Sequence, residues 1–267
     1  MKLSVSNIAW GAEFDEIMYN IMKKNGYVGL EIAPTRIFPE SPYSHLKEAE
    51  DWNDKLNQKE KFMISSMQSI WYGRDEKLFG SIEERKRLLD YTKKAIEFAE
   101  IIGCKNLVFG CPKNRNMPVD GDVKIAEDFF SKIGEYAIMH NTVIGMEANP
   151  KIYNTNFINT TEEAFLLVQK INNPGFKINL DIGTIIENKE DLNMVKGKVP
   201  LINHVHISEP RLKSIKRREL HAKLRDILVD ENYEGFVSIE MGRVNELCEI
   251  ESVMEYVSNV FEKQLWI

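Results

Sequence analysis

Two of the five histidines in this chain stand one residue apart in the segment "LINHVHISEP", residues 201–210. The segment is rich in β-branched residues and is bounded by Pro200 and Pro210, which is typical of a strand. Side chains two residues apart in a strand point to the same face, so His204 and His206 share a face. An imidazole on a buried face is either a hydrogen-bonded core residue or a metal ligand. The second interpretation requires further ligands from elsewhere in the chain.

Acidic residues end three other β-rich segments. Glu147 follows "TVIGM", Asp181 follows "FKINL" and Glu240 follows "FVSI". In each segment the acid has the opposite parity to the large apolar residues just before it, so it lies on the opposite face of the strand. Carboxylate oxygens and an imidazole nitrogen are suitable ligands for Mn²⁺, Co²⁺ or Mg²⁺, and Zn²⁺ is not excluded.

These segments belong to a regular alternation of strands and helices. Helical patterns follow the strands, and capping boxes mark two helix starts, at Ser81 with Glu84 and at Thr160 with Glu163. Alternating strands and helices indicate a parallel sheet, and eight units in about 250 residues is the expected size of a (β/α)₈ TIM barrel. We predict eight strands, at residues 3–10, 27–33, 62–70, 106–111, 142–148, 176–182, 202–207 and 236–241.

A doubly wound open sheet is the alternative, but it usually has a glycine-rich phosphate turn, and neither GxGxxG nor GxxxxGK occurs in this sequence. No linker or break in composition divides the chain, so we predict a single domain over residues 1–267. In a TIM barrel the active site lies at the carboxyl ends of the strands, where the last inward residues of four consecutive strands would meet. Three unpaired carboxylates there would repel one another, and a dication would relieve that repulsion. We therefore predict one divalent ion bound by Glu147, Asp181, His206 and Glu240. His204 would lie one layer below as a structural residue.

The composition is that of a globular protein, with 43% hydrophobic and 28% charged residues. The net charge of −6 argues against a nucleic-acid partner. The cysteines are three in number and widely spaced, which argues against a disulfide framework and for a reducing compartment. The amino terminus does not resemble a signal peptide, and no apolar run approaches the roughly 18 residues of a membrane span. We expect a cytoplasmic protein without a membrane partner, and a homo-oligomer stays open.

Four motifs, "GMEANP", "NLDIGT", "HVHISEP" and "YEGFVSIEM", occur in this order. With them the chain resembles the xylose isomerase-like TIM-barrel superfamily, the sugar phosphate isomerase/epimerase group, over nearly its whole length. In ketose 3-epimerases of that group the matching Glu, Asp, His and Glu bind Mn²⁺ or a similar ion, and the two glutamates transfer protons on opposite faces of the sugar. The resemblance implies that Glu147 and Glu240 are the catalytic acid and base.

The chain departs from this family at one position of the Asp motif. Many members carry His three residues after the Asp, whereas this chain has Thr184, which cannot carry a proton near neutrality. His221, which follows the seventh predicted strand, is a candidate replacement. Trp10, Trp71 and Tyr72 offer apolar walls for a sugar, and Lys113, Arg115 and Arg211 offer cations for a phosphate or carboxylate. The predicted substrate-binding residues are Glu31, Gln68, Trp71, Lys113, Thr184, Glu209, Arg211 and His221.

The predicted function is divalent-metal-dependent isomerisation or epimerisation of a small sugar or sugar phosphate through an ene-diolate. An inosose dehydratase-like lyase would share the first step. A DNA repair nuclease like endonuclease IV is a further alternative, because that group shares this fold and part of this metal site. The pair Glu219 and His221 also resembles the Asp-x-His that holds its third zinc. The remaining histidine ligands of that group are replaced by Gln68, Cys111 and Thr184. A non-catalytic metal- or sugar-binding barrel is the last alternative.

Overall fold

The computed structural model describes residues 1–261, in which eight parallel strands close into a barrel in chain order. Each strand pairs with the next, and the first pairs with the last. All eight predicted strands are present, most of them shorter than predicted because their ends belong to loops. They are β1 Lys2–Ser6, β2 Gly29–Ile32, β3 Met63–Met67, β4 Leu107–Phe109, β5 Ile144–Met146, β6 Phe176–Asp181, β7 Ile202–Ser208 and β8 Phe236–Glu240. The (β/α)₈ TIM barrel is therefore confirmed.

Helices follow the strands and cover the outside of the barrel. Both predicted capping boxes are formed: the Ser81 hydroxyl accepts a hydrogen bond from the Glu84 amide, and Thr160 does the same for Glu163. The helices are α1 Asp15–Lys24, α2 Pro34–Ile37, α3 Leu46–Glu60, α4 Ile82–Ile101, α5 Lys124–Met139, α6 Thr161–Ile171, α7 Ile182–Asn188, α8 Glu219–Asp230 and α9 Leu247–Phe261. Within residues 1–261, no helix is long and apolar enough to cross a membrane.

The two faces of the strands have different chemistry. Apolar side chains such as Leu180, Val205 and Ile239 are fully buried in the hydrophobic core between strands and helices. The barrel interior instead holds polar side chains that bond to one another, as Asn106 does when it donates to Ser66 at 2.9 Å. Buried polar groups are stable only when they are paired in this way. The predicted parity of the strands is thus present, with apolar residues outward and polar residues inward.

Strand register brings the ends of β6, β7 and β8 to one level. Asp181 is the pairing partner of His206, and Ser208 is the partner of Glu240. Since side chains alternate along a strand, Asp181, His206 and Glu240 all project into the mouth of the barrel. The strands of the barrel therefore position three of the predicted ligands, and Glu147 follows directly after the end of β5.

Candidate metal centre

His206 lies at the centre of a cluster of carboxylates. Its Nδ1 atom is 3.1 Å from Glu147 Oε1 and 3.2 Å from Glu240 Oε2. One ligand atom from each of the four predicted metal-binding residues lies within 4.8 Å of the others. Bonds from such atoms to divalent metals are about 2.0–2.6 Å long, so two ligands of one ion can be about 4–5 Å apart. The donor set of Glu147, Asp181, His206 and Glu240 therefore fits a single divalent ion.

Asp181 ends β6 and also caps helix α7. Its Oδ1 accepts a hydrogen bond from the Thr184 amide at 2.6 Å, and its Oδ2 accepts one from the Ser208 hydroxyl. The aspartate that is predicted to bind the ion is thus also the N-cap of α7. The Thr184 amide and the Ser208 hydroxyl hold the carboxylate in one orientation. Less conformational freedom of this side chain would therefore be lost when an ion binds.

Glu147 is held by two asparagines that sequence reasoning did not identify. Asn179 donates to its Oε1 at 2.9 Å, and Asn149 donates to its Oε2 at 3.0 Å. Asn179 has the parity of Asp181 in "FKINLD", and Asn149 belongs to the motif "GMEANP", so the sequence carried a usable signal for each. Gly110 leaves room for this carboxylate, since an added Cβ there would lie 2.8 Å from Glu147 Oε2.

Arg115 is buried beside Glu147 and donates hydrogen bonds to neighbouring residues. Its guanidinium is fully buried and donates to the Glu147 carbonyl at 2.9 Å, to Asn149 Oδ1 at 3.0 Å and to the Ile158 carbonyl at 3.1 Å. The expectation that it binds a phosphate or carboxylate does not hold. Burial lowers the pKa of Arg115 to about 10, which leaves it charged at neutral pH.

Glu31 lies beneath the cluster, not in the mouth. Its Oε2 is 2.8 Å from His206 Nε2 and 3.1 Å from His204 Nε2, and it has no solvent-exposed surface. The prediction that Glu31 binds substrate is therefore wrong. A carboxylate at Nε2 leaves Nδ1 of His206 to face the other carboxylates, which is the usual arrangement of a metal-binding histidine and its supporting acid. Glu31, His204 and His206 also satisfy the distance criterion for a metal group, but all three are buried below the cavity.

Burial and neighbouring charges shift the pKa values of the residues in this cluster. Burial raises the pKa of Glu240 to about 7 and that of Asp181 to about 6, and the Glu147 carboxylate adds to both shifts. Burial would also raise the pKa of Glu31, but His206 and His204 outweigh it and hold that pKa well below its usual value. Burial alone would lower the pKa of His206, yet the surrounding glutamates raise it well above its usual value. The cluster thus concentrates negative charge around one imidazole.

A cavity of about 200 Å³ opens above this cluster at the carboxyl ends of the strands. Among the described residues that line it there are four carboxylates and no Lys or Arg. Gln68 and Glu209 line it as predicted, although Glu209 is occupied by a two-point contact with Arg218, at 2.6 and 2.7 Å. The lining residues are Gln68, Ser69, Val108, Gly110, Cys111, Pro112, Glu147, Asn149, Tyr153, Asp181, Ser208, Glu209, Leu212 and Glu240. We name this space the metal-centre cavity.

Two predicted substrate-binding residues belong to the core. Trp71 is only 1% exposed, packs edge-on against Phe109 and donates its indole hydrogen to Thr92 Oγ1 at 2.8 Å. Thr184 donates its hydroxyl to the Ala148 carbonyl at 2.8 Å and does not line the metal-centre cavity. Trp10 is likewise fully buried, with its indole hydrogen donated to Asp15. Trp10 and Thr184 therefore shape the mouth only indirectly, whereas Trp71 also lines a neighbouring cavity formed by the loops after β3 and β4.

Three more predicted residues do not line the metal-centre cavity. His221 is buried on α8, where its Nδ1 is 2.9 Å from the Tyr256 hydroxyl of α9, so it cannot replace the family histidine. Arg211 is exposed and does not line the cavity. Lys113 is also exposed, and it lies 3.3 Å from Asp75 outside this cavity. The prediction for His221 is therefore corrected, and Lys113 lines a neighbouring cavity instead. The backbone amide of Arg211 donates to the hydroxyl of Tyr153, a lining residue, at 2.7 Å, so substrate binding by Arg211 stays a prediction.

Known structures of the same shape include several enzymes. The 3-keto-D-glucoside 4-epimerase of E. coli is 21% identical with a TM-score of 0.75, over 97% of this chain and 99% of that one. The D-psicose 3-epimerase of Clostridium cellulolyticum H10 is 13% identical with a TM-score of 0.77, over 98% and 99%. An AP endonuclease of family 2 from Brucella melitensis is 18% identical with a TM-score of 0.71, over 94% and 95%. At these identities the likeness concerns the fold.

Sequence comparison gives the family. No curated protein matches the chain by sequence. The family model described as xylose isomerase-like TIM barrel matches residues 20–260, which is most of the chain and all of the strands from β2 to β8. The chain therefore belongs to the xylose isomerase-like TIM barrel family.

Proposed function

We propose that the chain is a divalent-metal-dependent isomerase or epimerase of a small sugar. The observation that carries the proposal is that two glutamates and an aspartate line the metal-centre cavity and converge on the buried His206. Its volume of about 200 Å³ suits a molecule of monosaccharide size, since pockets for drug-sized ligands span roughly 300–1,000 Å³. Two similar structures, named as a keto-glucoside epimerase and a psicose epimerase, support this class of reaction.

The residues that would hold the ion are Glu147, Asp181, His206 and Glu240. When bound, a divalent ion supplies positive charge that polarises a substrate carbonyl and acidifies the neighbouring C–H group. Three carboxylates and one imidazole suit Mn²⁺, Co²⁺ or Mg²⁺. Asn149, Asn179 and Ser208 hold the carboxylates in place through the hydrogen bonds described above.

Glu147 and Glu240 would transfer the protons. They reach the cavity from β5 and β8, which are separated around the barrel by β6 and β7, so they approach a bound sugar from different directions. One carboxylate removes a proton from the carbon next to the carbonyl, which gives an ene-diolate, and the other returns a proton to the opposite face or to the next carbon. An epimerase and an isomerase differ only in which carbon receives that proton.

No histidine lines the metal-centre cavity among the residues described for it. Tyr153 and Cys111 do line it, but burial raises the pKa of each to about 12, which makes both poor bases near neutrality. The two glutamates are consequently the groups best placed for acid–base catalysis in a chain where Thr184 stands in place of the family histidine.

The test is a screen of ketoses and aldoses in D₂O with Mn²⁺-loaded protein, followed by NMR analysis of deuterium incorporation after the ion has been removed. We expect exchange at the carbon beside the carbonyl for at least one sugar, and none after EDTA treatment. A lyase would show the same first step together with loss of a hydroxyl group in the product spectrum. Metal-loaded protein that exchanges no sugar proton at all would contradict the proposal.

The nuclease alternative lacks support at the residues that suggested it. His221 is buried against Tyr256, and Glu219 is at the start of the same helix α8, so the pair does not join the cluster of ligands. The cavity also has no Lys or Arg among its described lining residues to bind a phosphate backbone. We expect no measurable affinity for duplex DNA containing an abasic site in a fluorescence anisotropy titration with metal-loaded protein.

A further inference from the structure

A second cavity, of about 510 Å³, lies beside the metal-centre cavity at the same end of the barrel. Ser69, Cys111 and Pro112 line both cavities, so the two spaces share one rim. The second cavity is formed by the loops that follow β3 and β4, and its other lining residues are Trp71, Tyr72, Gly73, Lys113 and Asn114. We name it the Tyr72 cavity.

Tyr72 provides an exposed aromatic ring in the lining of this cavity. Its side chain is 68% exposed, so the aromatic ring is accessible from solvent beside the shared rim. Lys113 and Asn114 line the same space, although both amide hydrogens of Asn114 are donated to backbone carbonyls. A flat aromatic face beside polar groups matches a sugar ring, which presents C–H groups on its faces and hydroxyls at its edges.

The walls of the Tyr72 cavity are held in place before any ligand binds. The Asn114 side chain of one loop donates to the Arg74 carbonyl at 2.9 Å and to the Glu76 carbonyl at 2.8 Å in the other loop. Ser69 and Cys111, on the shared rim, both have left-handed backbone, with φ of 56° and 45°. Such conformations cost free energy in residues other than Gly and cluster at ligand sites. A preformed wall reduces the entropy lost on binding.

Charge indicates which kind of sugar would fit. Four carboxylates line the metal-centre cavity, and the one guanidinium in contact with them, that of Arg218, is already paired with Glu209. In the Tyr72 cavity the only cation among the lining residues is Lys113, whose amine lies 3.3 Å from Asp75. The proposed dication would offset much of the carboxylate charge in the first cavity, but no Lys or Arg is among the described residues lining that cavity to receive a phosphate dianion, and the second cavity offers one shared cation.

We propose that the substrate is an uncharged glycoside, whose reacting sugar occupies the metal-centre cavity and whose second ring stacks on Tyr72. This inference rests on the proposed function, because the reacting ring is taken to be the one above the metal centre. The Tyr72 cavity then extends substrate recognition beyond the monosaccharide that the metal-centre cavity can hold.

The test compares D-fructose with maltulose and isomaltulose, which carry a glucosyl ring on O4 and O6 of fructose. Binding to Mg²⁺-loaded protein is measured by isothermal titration calorimetry. Aromatic packing is worth about 0.5–1.5 kcal/mol, so at least one disaccharide should bind roughly three- to tenfold more tightly than fructose. Tyr72→Ala should remove that advantage, and Tyr72→Phe should keep it. Saturation-transfer NMR should show contact with the glucosyl protons only when the aromatic ring is present.

Control variants and ligands distinguish failure of the glycoside proposal from failure of the proposed function. Met139→Ala removes an equally exposed apolar side chain from α5 and should leave disaccharide binding unchanged. An advantage that survives in Tyr72→Ala, or disaccharides that bind no better than fructose, would overturn the glycoside proposal alone. D-fructose 6-phosphate that bound more tightly than fructose, with the gain lost in Lys113→Gln, would overturn the uncharged-substrate proposal. Absence of both binding and proton exchange for every sugar would overturn the proposed function with it.

Discussion

At the scale of single residues, the two nitrogens of His206 have different partners. Nε2 faces the buried carboxylate of Glu31 at 2.8 Å, and Nδ1 faces Glu147 and Glu240 at 3.1 and 3.2 Å. A donor bond from Nε2–H to Glu31 would fix the tautomer that presents the Nδ1 lone pair to an ion. His204 shares Glu31 from below, at 3.1 Å, and its ring packs edge-on against His206.

Replacement of Glu31 should therefore weaken metal binding, although Glu31 is not among the proposed ligands. We expect Glu31→Gln to lower Mn²⁺ affinity roughly 10- to 100-fold, the usual effect of losing the acid that supports a metal-binding histidine. Titration calorimetry measures this directly. Glu60→Gln is the matched control, since Glu60 is also buried and ion-paired, with Lys23 at 2.6 Å, but outside the site. Equal affinities for Glu31→Gln and the parent would remove Glu31 from the site.

The two glutamates should differ in the proton that each transfers. We expect Glu147→Gln and Glu240→Gln, each shown to retain metal, to abolish turnover, because epimerisation needs a base on both faces of the sugar. Each variant should still exchange a proton with D₂O from one epimer but not from the other, as read by NMR. Turnover at the parent rate by metal-loaded Glu240→Gln would exclude the two-base mechanism and leave a one-base reaction centred on Glu147.

At the scale of elements, helices α8 and α9 pack through a buried histidine that the site does not use. His221 contacts the Tyr256 hydroxyl at 2.9 Å, and that hydroxyl also contacts the backbone of Arg218. Burial lowers the pKa of His221 to about 4. The neutral imidazole is thus part of the packing between the two helices, and its role is structural.

This pKa predicts a loss of stability in mild acid. The unfolded chain binds a proton at His221 below about pH 6.5, whereas the folded chain resists protonation until about pH 4. Stability therefore falls as the pH falls through this window, by about 2 kcal/mol between pH 7 and pH 5 from His221 alone. Urea unfolding at the two pH values should show that His221→Gln lacks this contribution. A variant with the same pH dependence as the parent would contradict the assignment.

At the scale of the whole molecule, the candidate ligands come from four consecutive strands of one closed barrel. A bound ion would therefore link β5, β6, β7 and β8 across the mouth, in a place where three carboxylates otherwise repel one another. Because such a site exists only in the folded barrel, metal binding should stabilise the entire fold.

We expect Mn²⁺ at a free concentration of about 100 times its Kd to stabilise the protein by about 2.7 kcal/mol. For a chain of this size that corresponds to a rise in Tm of roughly 5–10 °C, which a thermal melt monitored by circular dichroism can measure. His206→Asn removes the central ligand and should abolish the rise. An equal rise in parent and variant would place the stabilising ion elsewhere on the protein.

The sequence by itself determined the strands, their inward faces and the four candidate ligands. These follow from a two-residue period: in "FKINLD" the apolar residues and Asp181 have opposite parity, and parity alone assigns them to opposite faces of the strand. The carboxyl ends of parallel strands meet at one mouth whatever the loops do, so Glu147 and Glu240 could be placed together without coordinates.

Only the tertiary structure decided which other side chains reach the cavity. Trp71 is turned into the core by its bond to Thr92 of α4, and His221 is held by Tyr256 of α9, 35 residues away. Glu31 has the right parity for the mouth but lies a layer too low to meet a substrate. Periodicity gives the face of a strand, but depth in the barrel and the partner of a loop residue depend on register and on packing between segments distant in sequence.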